Sequence, residues 1–410
     1  MNRKYLFLQG PVGPFFQELG KAVAAKGSQA WRINFNGGDR YFWDAPNAID
    51  FKDKIDEFKS FIKKTARNKK ITDLVIYGDC RPVHKIAIQA LQNSNVKIHV
   101  FEEGYFRPDW ITLEENGVNA RSSLPRDAEF YKALPEKPFP KALRFRQHFK
   151  SLIWYSALYY IHGARKMYGE FKNYRHHFNI SPHVTIGRWL IKMVMRRHKP
   201  MQSNMRIKEI SKTKYFLVPL QLCRDYQIKD HSQFGDMTEF VDFITQNFAK
   251  NAQDDTNLVF KIHPLDNNPG RLEKYIFKSA KKLGIKERVV CLDGGHLPTL
   301  VKNSQGVVVA NSTSGIVAIH NGVPTLALSE SVYNLPGLTY RKSLREFWHN
   351  PEKPDETLYN KFANYVITTT QRNGNFYNPE GIKAAVANSA EWLLQRKDEY
   401  SEHYEIQKAS

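Results

Sequence analysis

Lys261-Ile262-His263-Pro264 follows directly on the apolar run Leu258-Val259-Phe260. A strand ending in a cation, an imidazole and a proline aims a small positive cluster beyond the sheet edge. In open α/β sheets, ligands bind outside the carboxyl ends of the strands. Some fifty residues later Val307-Val308-Val309 runs into Asn311-Ser312-Thr313-Ser314-Gly315 and then a helical pattern. The hydroxyls and free backbone N–H groups of such a turn suit a phosphate. Two anion-binding strand ends in one half of the chain point to a nucleotide-linked substrate.

Four other strand ends carry polar groups. Gly10-Pro11-Val12-Gly13-Pro14 gives flexible backbone at the first strand tip, either for substrate approach or as a structural turn. Its spacing is not the dinucleotide G-x-G-x-x-G. Asn36-Gly37-Gly38-Asp39 offers Asn36 and Asp39 to sugar hydroxyls, or is ordinary turn chemistry. Glu102 and Glu103 are adjacent carboxylates at a strand end, where alternation sends one of them into a cleft. Such a carboxylate can serve as general acid or base, and the alternative is a solvated pair. Pro219-Leu220-Gln221 leads to Cys223, Asp225 and Gln227. Asp225 suits a nucleophile in glycosyl transfer with retention, the alternative being a surface turn.

These residues require a scaffold of alternating strands and helices. In the first hundred residues, strands are expected at Tyr5–Leu8, Trp31–Phe35, Leu74–Tyr77 and Val96–Phe101. Helical patterns lie at Phe15–Ala25, Phe51–Ala66 and Pro82–Leu91. In the second half, strands are expected at Tyr215–Pro219, Leu258–Ile262, Val289–Leu292, Gly306–Val309 and Thr325–Leu328. Helices are expected at Met237–Asn247, Arg271–Leu283, Leu297–Asn303, Gly315–His320 and Glu380–Gln395. Alternation of this kind means right-handed βαβ units and parallel sheets. The predicted organisation is an α/β domain over 1–136, a basic aromatic helical insertion over 137–214, an α/β domain over 215–380 and a C-terminal helix over 381–410.

The chain has 410 residues and a formal net charge of +20, enough length for two full cores. Between Lys141 and Lys214 stand 17 Lys/Arg against the two acids Glu170 and Glu209, a net of +15. Ser151–His162 and Trp189–Arg197 read as helices carrying Trp, Tyr and Met beside cations, which suits an interfacial membrane helix. The alternatives are a helical insertion with a solvated basic face and a nucleic-acid surface. The signature of a nucleic-acid binder, a sheet face with paired aromatics, is lacking, so no nucleic acid is expected. No run of roughly 18 apolar residues marks a membrane span. The short apolar run after Arg3-Lys4 reads as a first strand in a cytoplasmic protein. Three scattered cysteines give no disulfide framework or metal spacing. There is no H-E-x-x-H, P-loop or G-x-S-x-G, and the only H-x-E, His403-Tyr404-Glu405, has no Cys pair after it. No metal or cofactor is therefore expected.

The order of these motifs resembles the capsular polysaccharide export/biosynthesis proteins of the KpsS/LipB type over most of the chain. The segments that carry the likeness are Leu6–Phe16, Ile33–Asp39, Glu102–Pro108, Pro219-Leu220-Gln221 with Asp225, Lys261–Pro264 and Asn311–Gly315. The resemblance implies two Rossmann-like domains in a GT-B-like arrangement with the basic insertion between them. It implies a retaining β-Kdo glycosyltransferase that moves Kdo from CMP-Kdo to a phosphatidylglycerol-type lipid. The setting it implies is peripheral, on the inner face of the inner membrane. A partner Kdo transferase then extends the linker, and an export transporter follows. His263, with Lys261 and Pro264, inherits the CMP phosphate. Ser312, Thr313, Ser314 and Gly315 share that pocket. Glu102 and Glu103 match the Glu-x-Gly-aromatic motif, and Gln221 with Asp225 matches Gln-x-x-x-Asp. Related transferases read Glu-Asp-Gly where this chain has Glu102-Glu103-Gly104, which leaves Asp225 as the nucleophile.

Overall fold

The computed structural model describes residues 3–145, 149–167, 169–175, 200–222, 228, 232–264, 266 and 270–395. The chain divides into two units: residues 1–123, 138–183 and 364–410 form the first, and 124–137 with 184–363 the second.

The first unit holds strands β1 (Lys4–Phe7), β2 (Gln29–Asn34), β3 (Ala48–Asp50), β4 (Asp73–Tyr77), β5 (Lys97–Glu103) and β6 (Trp110–Glu115). A later strand, Gln371–Asn373, completes a seven-stranded sheet. The spatial order is β3-β2-β1-β4-β5-β6 and then Gln371–Asn373. β1 to β5 pair in parallel, whereas β6 pairs antiparallel with both β5 and Gln371–Asn373. Leu74, Val75 and Ile76 are fully buried, as central strands covered on both faces must be. Helix α1 (Phe15–Ala25) lays Phe15, Phe16, Leu19 and Val23 on one face of the sheet. Phe15 meets Phe101 and Phe376 edge-to-face at 5.3 and 4.9 Å. Such pairs add about 0.5–1.5 kcal/mol each beyond the area they bury.

The C-terminal chain returns to this unit at Asn364. Residues 364–380 thus belong with the first sheet, where the sequence reading had put them in the second domain. The cause is a non-local pairing: Gln371, Arg372 and Asn373 align on Thr112, Ile111 and Trp110. Helix Pro379–Gln395 then lies against α1, burying Ile382, Ala385 and Leu393. The expected helix over Phe51–Ala66 is a 3-10 turn at Ile55–Glu57 followed by a helix at Phe58–Lys69.

The second unit is a five-stranded parallel sheet. Its strands are β7 (Lys214–Pro219), β8 (Thr256–Lys261), β9 (Val289–Leu292), β10 (Gly306–Val309) and β11 (Thr325–Ala327), in the order β11-β10-β7-β8-β9. Phe216, Val218, Leu258, Phe260 and Val308 form its core with helix Met237–Asn251. Asp236 caps that helix by accepting from the N–H groups of Thr238 and Glu239.

The described part of the basic segment divides between the units. Helix Phe149–Met167 belongs to the first. Helix Pro200–Ile210 leads into β7 and ties to the second, where Arg206 donates to the Cys291 carbonyl at 3.1 Å. The helix expected at Trp189–Arg197 lies outside the described residues.

Candidate functional site

In the second sheet the chain order reverses between β7 and β10. The crevice beyond such a switch point is where open α/β sheets receive ligands. Gln221 follows β7 and is almost wholly buried. Asn311, Ser312, Thr313 and Ser314 follow β10 and are half-buried. Lys261 ends β8, the next strand over, aligned with Pro219 and Leu292. Strand spacing places the β8 and β10 tips roughly 10 Å apart.

Lys261 is 6% exposed, and its ammonium makes no hydrogen bond or ion pair with a described residue. Burial lowers its pKa, against the attraction of Asp293. A buried ammonium without a hydrogen-bonded counter-ion is costly unless an anion meets it. His263 is half-buried and Pro264 exposed beside it.

The Ser-rich turn differs from the expectation of free N–H groups. The Ser314 N–H donates to Ser312 Oγ at 3.2 Å, Gly315 N–H to the Ser312 carbonyl at 2.9 Å and Ile316 N–H to the Thr313 carbonyl at 3.1 Å. Three N–H groups are thus spent inside the turn, and the Ser312 hydroxyl donates to that of Ser314 at 3.1 Å. The Ser312 carbonyl also accepts from the fully buried Tyr333, whose hydroxyl a Cβ on Gly315 would approach to 2.5 Å. Only glycine fits there. No local pattern announces Tyr333. Asp225, Cys223 and Gln227 lie outside the described residues.

In the first unit the switch point falls between β1 and β4. The Gly10–Gly13 turn follows β1. A Cβ on Gly10 would meet Phe16 at 2.7 Å, and one on Gly13 would meet Tyr155 at 2.9 Å. The protein's own aromatic rings cover that side of the turn.

Asn36 caps the short helix α2 (Gly37–Tyr41), its Oδ1 accepting from the N–H groups of Gly38 and Asp39 at 2.8 and 3.0 Å. Asp39 is 1% exposed and holds Arg32 at 3.4 Å, the Phe35 N–H at 3.0 Å and Gln9 Nε2 at 3.1 Å. Tyr159, from helix Phe149–Met167, donates to Asp39 at 3.1 Å and accepts from Asn36 Nδ2 at 2.8 Å. Burial pushes the Tyr159 phenol well up, with the Asp39 charge adding. The Asn-Gly-Gly-Asp segment is therefore the seat of that helix.

Glu102 and Glu103 end β5, and the pleat separates them. Glu102 lies by Gly78 and accepts from the Glu103 N–H at 3.1 Å. Glu103 accepts from the Tyr77 hydroxyl at 3.4 Å. Burial pushes the Tyr77 and Tyr377 phenols up, and the charge of Glu103 adds to both.

Two α/β units, each with a sheet whose chain order reverses at a switch point, place the fold in the doubly wound class. More particularly, the chain belongs to the capsule polysaccharide biosynthesis protein family, whose profile matches residues 72–377. It is 34% identical over 384 residues to the capsule polysaccharide export protein KpsS of Escherichia coli, spanning 92% of this chain and 97% of that one. It is 33% identical over 385 residues to the capsule polysaccharide modification protein LipB of Neisseria meningitidis serogroup A, spanning 91% of each. Among solved structures, the β-Kdo 2,7 transferase of Thermosulfurimonas dismutans KpsC aligns over 96% of this chain and 100% of that one. Its TM-score is 0.45 at 11% identity.

Proposed function

We propose that the protein is a retaining β-Kdo glycosyltransferase, moving Kdo from CMP-Kdo to a phosphatidylglycerol-type lipid at the start of a capsule linker. The observation that carries this reading is the buried Lys261 ammonium, which has no hydrogen-bond or ion-pair partner among the described residues and stands near the β7/β10 switch point. A CMP phosphate would supply its counter-ion. His263 and the hydroxyls of Ser312, Thr313 and Ser314 would complete the cradle, with Gln221 beside it.

In the first step the Asp225 carboxylate attacks the anomeric carbon. The sugar–phosphate bond breaks, and its electron pair leaves with CMP. Lys261 and His263 offset the charge that develops on the departing phosphate. In the second step Glu103 takes the proton of the acceptor hydroxyl, whose oxygen attacks the same carbon and releases Asp225. Two inversions give net retention. The reaction needs no separate cofactor or metal in this scheme.

The acceptor is a membrane lipid, so the enzyme would dock on the inner face of the inner membrane, beside a second Kdo transferase and the export transporter. One side of helix Phe149–Met167 supports this. Trp154 is 62% exposed, with Ile153 and Ile161 each at 40%. Among the described residues no helix is long and apolar enough to cross a membrane.

Incubation with CMP-Kdo and a fluorescent phosphatidylglycerol tests the proposal. A product one Kdo heavier is expected, as is a Kdo-enzyme adduct on Asp225 by peptide mapping. An adduct on another residue removes Asp225 from the role, and no transfer refutes the reading. The name of the Escherichia coli relative, an export protein, favours a second reading: a non-catalytic component that holds finished glycolipid. Such a component has no need to bind CMP.

A further inference from the structure

The first sheet has a switch point that the donor cradle leaves unused. It lies between the tips of β1 and β4, where Gly10 and Arg81 meet. Arg81 donates from Nη1 to the Gly10 carbonyl at 3.2 Å, and its guanidinium lies over the Tyr77 ring at 5.1 Å. It is half-buried and has no carboxylate partner among the described residues. The neighbouring acid, Asp79, is fully buried, faces Arg121 at 3.4 Å and accepts from Cys80 Sγ at 3.1 Å. A guanidinium carries five N–H donors in a planar fork that matches carboxylate or phosphate oxygens in pairs. Arg81 spends one hydrogen bond on Gly10. Stacking on Tyr77 fixes the plane of the fork, so little freedom remains to be lost when an anion arrives.

Tyr77 joins this cation to the carboxylate that ends β5. Its ring lies under Arg81, and its hydroxyl donates to Glu103 Oε1 at 3.4 Å. Tyr160 and Tyr377 also stand within the field of Arg81. The local chemistry is a cation beside several phenols and the carboxylate of Glu103.

We infer that Arg81 seats the anionic group of the molecule on which Glu103 acts, holding paired oxygens at the β1/β4 switch point. This rests on the reading of Glu103 as the acid/base group. Two sources offer such oxygens: the phosphodiester of an acceptor lipid and the carboxylate of the transferred sugar.

Calorimetry separates them. Wild type, Arg81→Gln and Arg81→Lys are titrated with dihexanoyl phosphatidylglycerol, with CMP-Kdo and with CMP, after near-UV circular dichroism and melting curves establish folding. An acceptor seat predicts that Arg81→Gln weakens phosphatidylglycerol binding by about tenfold or more, leaving CMP-Kdo and CMP unchanged. A sugar-carboxylate seat predicts that loss for CMP-Kdo only. Arg81→Lys, which keeps the charge but not the fork, falls between in either case, and it decides the matter if Arg81→Gln fails to fold. Unchanged affinity for both anions in a folded variant overturns the inference. So does weaker binding of CMP alone, which marks a general defect, and so does a wild type that binds neither anion. If wild type binds phosphatidylglycerol through Arg81 yet transfers no Kdo, the transferase reading fails and the anion seat stands.

Discussion

The Tyr159 hydroxyl donates to Asp39 Oδ1 at 3.1 Å, joining positions 120 residues apart. This bond fastens a helix from the basic segment to the tip of β2. The fit is close, because a Cβ on Gly38 would lie 2.5 Å from the Tyr159 carbonyl oxygen. Gly38→Ala should lower unfolding stability by about 1–3 kcal/mol through overpacking. Tyr159→Phe should cost about 1–3 kcal/mol by leaving Asp39 and Asn36 short of a partner. Urea titration checks both, and limited proteolysis should cut the helix first in each variant.

Lys261→Met should weaken CMP binding by about 1.5–3 kcal/mol, the range for hydrogen bonds to charged groups. His263→Ala should do the same with the fold intact. The two effects should not add fully, since in the proposed cradle both side chains would address one phosphate. Calorimetry with CMP reads each value, and an unchanged affinity removes the residue from the cradle.

His84 predicts a pH dependence of folding. It is fully buried, its Nδ1 hydrogen-bonds the Gly78 carbonyl at 2.7 Å, and burial, with the Arg81 charge adding, pushes its pKa down to about 3. The unfolded chain takes up a proton near the ordinary value of 6.5, which the folded chain refuses. The contribution is complete above that value and falls away as the pH drops toward the folded one. The loss between neutral pH and pH 4 is about 3 kcal/mol. Paired urea titrations at the two pH values should show that His84→Leu loses less on acidification than wild type. Equal losses would rule His84 out as the source.

Membrane docking should depend on two features. Trp154→Ala with Ile153→Ser and Ile161→Ser should reduce co-sedimentation with phosphatidylglycerol vesicles, because in the proposed docking their apolar area would enter the headgroup layer. Replacing Arg188, Lys192, Arg196 and Arg197 by Gln should weaken it further, at about 1 kcal/mol per cation near an anionic surface. Binding should also fade in high salt, where the Debye length is about 3 Å at 1 M. Equal pelleting with neutral vesicles would overturn this docking.

The most legible strands are continuous apolar runs. Leu74-Val75-Ile76 and Val307-Val308-Val309 announce themselves because a central parallel strand is apolar throughout. Gln371-Arg372-Asn373 does not, since only its pairing with β6 makes it a strand. The same limit hid Arg81. Between Cys80 and Pro82 it belongs to no motif, and it meets Gly10 only because β4 lies beside β1. Lys261 was legible because its neighbours in sequence are its neighbours at the strand end. Asn36 and Asp39 read equally as turn or ligand chemistry. A helix more than a hundred residues later gives them partners, and local sequence carries no trace of it.

The first unit is assembled from both ends of the chain. Arg3 and Tyr5 both donate to the carbonyl of Leu393, 390 and 388 residues onward. During synthesis the second sheet has all its strands once β11 has left the ribosome. The first sheet must then wait, with β6 as a bare edge and one face of β1 uncovered, until the last helix emerges. The growing chain thus carries an unfinished domain through most of its translation, and premature termination after residue 363 would release a polypeptide with an open sheet edge, ready to pair with another chain.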